Sequence, residues 1–315
     1  MKNKNTIGIF VLAFNRLGHL KKVINALSKY TKSNEVIYIF ADNSNIKSSK
    51  VNEVHKYIQK LNPKKFKTII RDKNLGLKEN WLRAYDFMFK KYDKVICLED
   101  DILINKNFMN FMREKLIFYN NNKRVMSITG YASPVKLPEN YKYDIFFSQR
   151  SNTWSQASWK RVWKLFKKNK ENNLNILLNK KNILKLSNGG DDIAHMFVQD
   201  YLRAVNSIQI WWAWNILKNN GLCINPVNSL VNNIGFDGTG THYNNRVKKS
   251  STINISKKNL KPLKLKSIVY DDEISKSFND LFKISYKQNL IYRFLPMILI
   301  IYIYKFKNKF INSFY

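Results

Sequence analysis

The feature that most constrains this chain is an alternation over its first 130 residues, where short apolar runs of strand length are separated by segments with apolar residues at helical spacing. The strand-like runs are Ile7 to Phe14, Val36 to Ala41, Thr68 to Arg71, Val95 to Leu98 and Val125 to Thr129. Between them, Leu17, Leu20, Val23, Ile24 and Leu27 make one helical face, and Val51, Val54, Ile58 and Leu61 a second. Leu77, Trp81, Tyr85, Met88 and Phe89 make a third, and Phe108, Phe111, Met112, Leu116 and Tyr119 a fourth. A run that is apolar without alternation is a strand buried on both faces, and strands alternating with helices give a mostly parallel sheet covered by helices. The expected fold class is therefore α/β, of nucleotide-binding type.

From about Pro134 the pattern turns irregular, and six of the seven tryptophans fall between Trp154 and Trp214. This reads as a second region built on the same sheet, so residues 1–243 form one domain with halves 1–130 and 131–243. Residues 244–270 read as a basic connector, and residues 271–315 as C-terminal helices with a basic aromatic tail. A helix is expected over Asp271 to Tyr286, with Ile274, Phe278, Leu281 and Phe282 on one face. No internal repeat is visible.

The 315 residues carry 55 Lys+Arg against 22 Asp+Glu, a formal net charge of +33, while 44% of residues are apolar. That apolar content excludes a disordered basic tail protein. The charge suits nucleic acid, an anionic membrane or phosphorylated small molecules. It also fits the Lys, Asn, Ile, Phe and Tyr bias of A+T-rich codons, so alone it selects no partner. Cys97 and Cys223 are too few and too far apart for a disulfide framework or a metal finger, and read as core residues of a cytosolic protein. Met1 to Phe14 resembles a signal peptide superficially, but no small-residue cleavage site follows, so it reads as the first strand. Phe294 to Tyr304 lacks charges and is flanked by Arg293 and by Lys305, Lys307 and Lys309. It falls short of the ~20 apolar residues a spanning helix needs. It reads either as a helix in the headgroup region of an anionic membrane or as a last helix packed on the protein.

The sharpest chemical signal is Glu99-Asp100-Asp101, directly after a buried strand. Ligands of open α/β sheets bind beyond the carboxyl ends of the strands. Three adjacent carboxylates repel one another unless a cation or hydrogen bonds offset them, and such hard oxygens suit Mg²⁺ or Mn²⁺ bridging to a diphosphate. Two weaker signals are Arg71-Asp72-Lys73-Asn74-Leu75-Gly76-Leu77, a turn into the third helix, and Phe40-Ala41-Asp42-Asn43-Ser44, after the second strand.

Val11-Leu12-Ala13-Phe14-Asn15-Arg16, Ala41-Asp42-Asn43-Ser44, Asn74-Leu75-Gly76-Leu77, Glu99-Asp100-Asp101 and Asn233-Ile234-Gly235-Phe236-Asp237-Gly238-Thr239-Gly240-Thr241-His242 occur in this order. Together they resemble the bacterial cell-surface polysaccharide glycosyltransferases of GT-A fold. They are more distantly similar to the N-acetylglucosaminyltransferase I family. The resemblance covers residues 6 to 242. It implies a Rossmann-like GT-A sheet and a donor site of Asn15, Arg16, Asp42, Asn74, Gly76, Glu99 and Asp100, with Asp42 at the base and Asp100 near the ribose. It also implies that Asp101 holds the metal, Mn²⁺ or Mg²⁺, and that His242 approaches the metal or the phosphates. The family's tryptophan-rich segment is matched by Arg150 to Trp159, although its usual Gly-Trp pair is Ser155-Gln156 here. Trp154, Trp159 and Trp212 are candidates to stack on acceptor sugars, or are core residues.

The family's catalytic carboxylate falls in register with Asn206-Ser207-Ile208, which holds no acid. The site is thus expected at Asn206, with Asp200 and Asp237 as substitutes for the base. The four histidines form no metal spacing, and no Ser/His/Asp or Cys/His arrangement is visible. The expected activity is transfer of a sugar from a nucleotide-diphosphate donor, a UDP-sugar, to a glycan or lipid-linked glycan acceptor of lipopolysaccharide, O-antigen or capsule. Metal dependence and inversion go with it, in the cytoplasm on the inner face of the membrane. The competing readings are a relative that binds nucleotide sugar without turnover, and a nucleic-acid-binding protein motivated by +33 and 44 aromatic side chains. The acidic triplet argues against nucleic acid as a partner, since it repels phosphates unless a metal intervenes.

Overall fold

The computed structural model of the protein describes residues 6–168, 172–237 and 271–312. The basic connector and His242 lie outside the described residues.

The apolar run at the N-terminus becomes β1 (Ile7–Ala13), buried from its second residue onward. It is paired in parallel with β2 (Ile37–Ala41) on one side and β4 (Lys94–Glu99) on the other. β3 (Phe66–Ile70) adds in parallel outside β2, and its mixed exposure marks it as the sheet edge. The crossovers are α1 (Leu17–Tyr30), α2 (Ser49–Gln59) and α3 (Gly76–Lys91). Each buries most of the apolar stripe legible in its sequence, but Leu17 is half-buried, Leu61 falls just beyond α2, and Leu77, in the first turn of α3, is 47% exposed. Beyond β4 come β5 (Ile102–Ile104), α4 (Phe108–Phe118) and β6 (Val125–Thr129).

The second half completes the same sheet. It supplies β7 (Ile145–Ser148), β8 (Ser155–Trp159) and β9 (Leu222–Pro226), giving the order β3-β2-β1-β4-β8-β6-β9-β7. Four of the seven pairings are parallel, and the three that involve β8 or β7 are antiparallel. The molecule is thus mixed α/β, with a large, mostly parallel central sheet flanked by helices. β8 is central although it reads Ser-Gln-Ala-Ser-Trp, because its polar groups are hydrogen-bonded. The Ser155 hydroxyl accepts from the Gly130 amide, Gln156 donates to Ser127 Oγ, and the Ser158 hydroxyl donates to the Met126 carbonyl.

Between β8 and β9 lie α5 (Lys160–Lys168), α6 (Asn173–Leu178), α7 (Lys180–Ser187), α8 (Asp192–Tyr201) and α9 (Ile208–Lys218). The last four enclose a second apolar core around Ile176, Phe197, Ile210 and Trp214. A short strand, β10 (Val231–Asn233), pairs antiparallel with β5.

The helix expected over Asp271 to Tyr286 is shorter than its sequence suggests. α10 (Asp272–Asp280) ends early, and α11 (Tyr286–Phe294) starts afresh at a capping box in which Ser285 and Gln288 satisfy each other's free amides. Ile274 and Phe278 are buried against Phe146, whereas Leu281 is 40% exposed at the break. The final α12 (Met297–Asn312) packs on α6 and α8 through Ile300, Ile301 and Tyr304. Among the described residues no helix is long and apolar enough to cross a membrane.

Candidate functional site

Sheet register creates the site. Leu12 lies opposite Glu99 and Ala13 opposite Ala41, so the carboxyl ends of β1, β2 and β4 finish level. The residues that follow, Phe14 to Arg16, Asp42 to Ser44 and Asp100-Asp101, share one edge of the sheet. There the Asp100 carboxylate accepts the Phe14 amide at 3.1 Å and Arg16 Nη2 at 2.6 Å. Arg16 Nη1 reaches Asp101 Oδ2 at 2.9 Å, so one guanidinium bridges both carboxylates. Asp100 and Asp101 are buried.

Burial followed by the neighbouring Asp101 and Asp100 charges pushes the Glu99 carboxyl up to about 8. Burial likewise raises the Asp100 carboxyl, against the pull of Arg16. For Arg16 burial opposes the charge, but the two aspartates outweigh it and hold the guanidinium above its usual range. Asp100 and Asp101 thus set two carboxyl groups against one guanidinium.

A second strand pair roofs this cluster. β10 places Asn233 opposite Ile102, and the Ile234 amide donates to the Asp101 carbonyl at 2.9 Å. Gly235 follows, where a Cβ would collide with Asp101 Oδ2 and lie 2.9 Å from Arg16 Nη1, so only glycine lets the loop lie this close. His19 on α1 ties the loop down, with Nε2 3.0 Å from the Ile234 carbonyl and 3.0 Å from Asp237 Oδ2. Asp101 Oδ1 is buried and has no hydrogen-bond partner among the described residues. An orphaned, buried carboxylate oxygen costs free energy unless a proton donor or a cation meets it. The donor set fits a hard divalent cation held by one carboxylate, with substrate phosphates and water completing its shell. Among the described residues no group of three or more His, Cys, Asp or Glu forms a cage by itself.

Asp42 is buried and differently employed. Its two oxygens accept the amides of Leu75 and Gly76, each at 2.9 Å, fixing the turn into α3 in which Gly76 takes φ +72°. This carboxylate therefore shapes the rim of the site from below, whereas the resemblance implied direct contact with a base. The Asn74 amide donates to Asn45 Oδ1 at 3.3 Å on the same rim, and Asn15 is half-buried beside Arg16.

Of the three tryptophans, only Trp154 borders open space. It meets Tyr131 edge-on at 4.7 Å and Phe236, from the roofing loop, at 5.7 Å. A cavity of ≈ 370 Å³ lies beside it, walled by Tyr131, Asn152 and Gln209 and by Phe278 and Phe282 of the C-terminal segment. Trp159 and Trp212 are 2% and 0% exposed, and their indole N–H groups donate to Leu116 O and Ser127 Oγ. Both are core residues, correcting their assignment to sugar stacking.

The two positions read as catalytic are not brought together. Asp200 is half-buried on α8 with its side chain 6% exposed, accepting from Lys78, Asn173 and Trp211, so each oxygen already has a partner. Asn206 is exposed in the turn before α9, whose first turn is capped by Ser207. The bridging role of Arg16, the clamp by His19 and the ring of Phe236 went unread. A strand-end Phe-Asn-Arg carries a signal for the first, and nothing in the sequence signals the other two.

No protein-family model matches the chain, and no curated protein matches it. Among solved structures it is similar to S. aureus TarS 1-349 in complex with UDP-GlcNAc, with 16% identity over 50% of this chain and 46% of that one, at a TM-score of 0.35. S. aureus TarS 1-349 without that ligand matches with 14% identity over 62% and 55%, TM-score 0.35. The mannosyltransferase PcManGT from Pyrobaculum calidifontis, in complex with GDP-Man and Mn²⁺, matches with 8% identity over 50% and 45%, TM-score 0.35. The chain spans about half the length of these structures.

Proposed function

We propose that this protein is a glycosyltransferase of GT-A type that moves a sugar from a nucleotide-diphosphate donor to a hydroxyl of a glycan acceptor. The observation that carries the reading is the orphaned, buried Asp101 Oδ1 in an acidic cluster, two aspartates to one arginine, at the carboxyl ends of β1 and β4. A diphosphate approaching that cluster is repelled unless a divalent cation comes with it. Bound there, Mn²⁺ or Mg²⁺ would be held by Asp101 and would neutralise charge developing on the departing diphosphate.

The chain's own residues do the rest. Asp100 locks Arg16 in place, Arg16 turns Asp101 toward its open oxygen, and Gly235 lets the roofing loop cover them. The turn braced by Asp42 borders the nucleoside side. The Trp154 wall and its cavity suit a pyranose face on the acceptor side, since aromatic rings offer sugars flat apolar contact. Asp237 lies on the loop joining the cluster to that wall, and there it is the better candidate than Asp200 to take the acceptor proton. UDP as nucleotide, inversion of configuration and a lipid-linked surface glycan as acceptor belong to this proposal by the family resemblance.

Calorimetric titration of the full chain with a panel of nucleotide sugars tests the reading. Binding is expected with Mn²⁺ or Mg²⁺, with loss of at least about 10-fold in Asp101→Asn or in chelator. Unchanged donor binding in chelator would overturn it. A second reading, donor binding without transfer, is favoured by the full engagement of Asp200 and the absence of a carboxylate at Asn206. Donor binding without sugar release or transfer to any glycan would establish it.

A further inference from the structure

The C-terminal helix α12 divides cleanly by exposure. Ile300, Ile301 and Tyr304 are buried against α6 and α8, while Ile298, Leu299, Tyr302, Ile303 and Phe306 are between 39% and 66% exposed. At about 100° per residue, the five exposed apolar side chains occupy one arc of about 140°, opposite the three buried ones. Lys305 and Lys307, both exposed, fall at the two borders between these arcs. The tail therefore packs on the protein with one face and presents a second apolar face, edged by a lysine on each side.

We infer that α12 docks the protein on an anionic phospholipid bilayer, lying in the plane of the headgroups. Five large apolar side chains on one helix face in water are costly, and burial among acyl chains removes them from it. Lysines at the borders of such a face extend their stems along it and place the ammonium groups at phosphate depth. The net charge of +33 adds long-range attraction to a negative surface. The same charge opposes pairing of this face with a second copy of the chain. Lys305 and Lys307 interrupt the apolar run of α12, and among the described residues no helix is long and apolar enough to cross a membrane, which favours a surface position. The inference stands independently of the proposed transferase activity, because no residue of the acidic cluster takes part.

Sedimentation of the full chain with phosphatidylcholine vesicles, with and without phosphatidylglycerol and at physiological salt, tests it. The wild type is expected to bind the anionic vesicles. Tyr302→Ser/Phe306→Ser and Lys305→Gln/Lys307→Gln are each expected to lower the partition coefficient about 10-fold or more. All four positions are exposed, so the melting temperature and the donor titration should stay as in the wild type. Vesicle binding unchanged in both double variants would overturn the inference, as would binding that ignores phosphatidylglycerol. So would failure to bind vesicles together with a dimer that the Tyr302→Ser/Phe306→Ser change dissolves, which would assign the face to a second copy.

Discussion

Arg16 decides how the acidic cluster exists at all. Its guanidinium is the counter-ion of two buried carboxylates, and breaking such a pair from one side leaves charge unmatched at a cost of about 3 kcal/mol. Arg16→Met should therefore lower the melting temperature by several degrees, and Mn²⁺ should restore more of that loss in the variant than it adds to the wild type. Scanning calorimetry with and without the metal checks this; equal shifts in both proteins would mean that the cation does not bind beside Asp101. Gly235→Ala puts a methyl group into Asp101 Oδ2. It should weaken metal-dependent donor binding about 10-fold or more and also lower the melting temperature, since the buried Gly235 cannot carry a methyl without disturbing the Arg16–Asp101 pair. The triplet was legible because acids are scarce in this chain and three follow a buried strand. The pairing partner was not, because arginine after a strand is common and only register brings position 16 level with position 100.

Among elements, those with a single physical driver were legible. β1 and the inner stripes of α1 and α2 follow from apolar burial alone, and β6 occupies the expected Val125 to Thr129. β8 was invisible because its stability comes from hydrogen bonds with residues far away in sequence, leaving a polar string with no period. The tail reads in sequence either as a headgroup helix or as a helix packed on the protein, and α12 has both a buried and an exposed apolar face. Its seating on α8 includes His195, whose Nδ1 lies 3.0 Å from the Tyr292 hydroxyl and whose ring meets Tyr304 at 4.8 Å. Burial lowers the His195 pKa; Lys307 lowers it further, and Asp192 opposes both. The unfolded chain therefore takes up this proton first, so His195 stabilises the seated tail above about pH 6.5 and loses that contribution as pH falls below it. Protection factors across α12, taken relative to the intrinsic exchange rate at each pH, should fall below that pH in the wild type and depend less on pH in His195→Gln. An identical pH profile in the two proteins would remove His195 from this role.

At the scale of the molecule, residue 130 marks a change of sequence pattern without marking a boundary of structure. The main core runs from Ile9 to Val231, with side chains from both halves in one cluster. β4 depends on the second half for its outer neighbour, because Lys94 to Leu98 pair with Ser155 to Trp159. α3 depends on it too, since Trp81 packs on Trp163 at 5.9 Å and on Trp212 at 5.6 Å. A fragment of residues 1–130 would expose the hydrogen-bonding edge of β4 and the Trp81, Tyr85 and Phe89 face of α3, an open edge beside an apolar patch that invites aggregation. Such a fragment should fail to give a cooperative thermal transition or dispersed amide resonances, whereas residues 1–237 should retain a cooperative core. A sharp, reversible melt of the short fragment would show that the nucleotide-side half is a domain in its own right, with the second half docked on it rather than woven through its sheet.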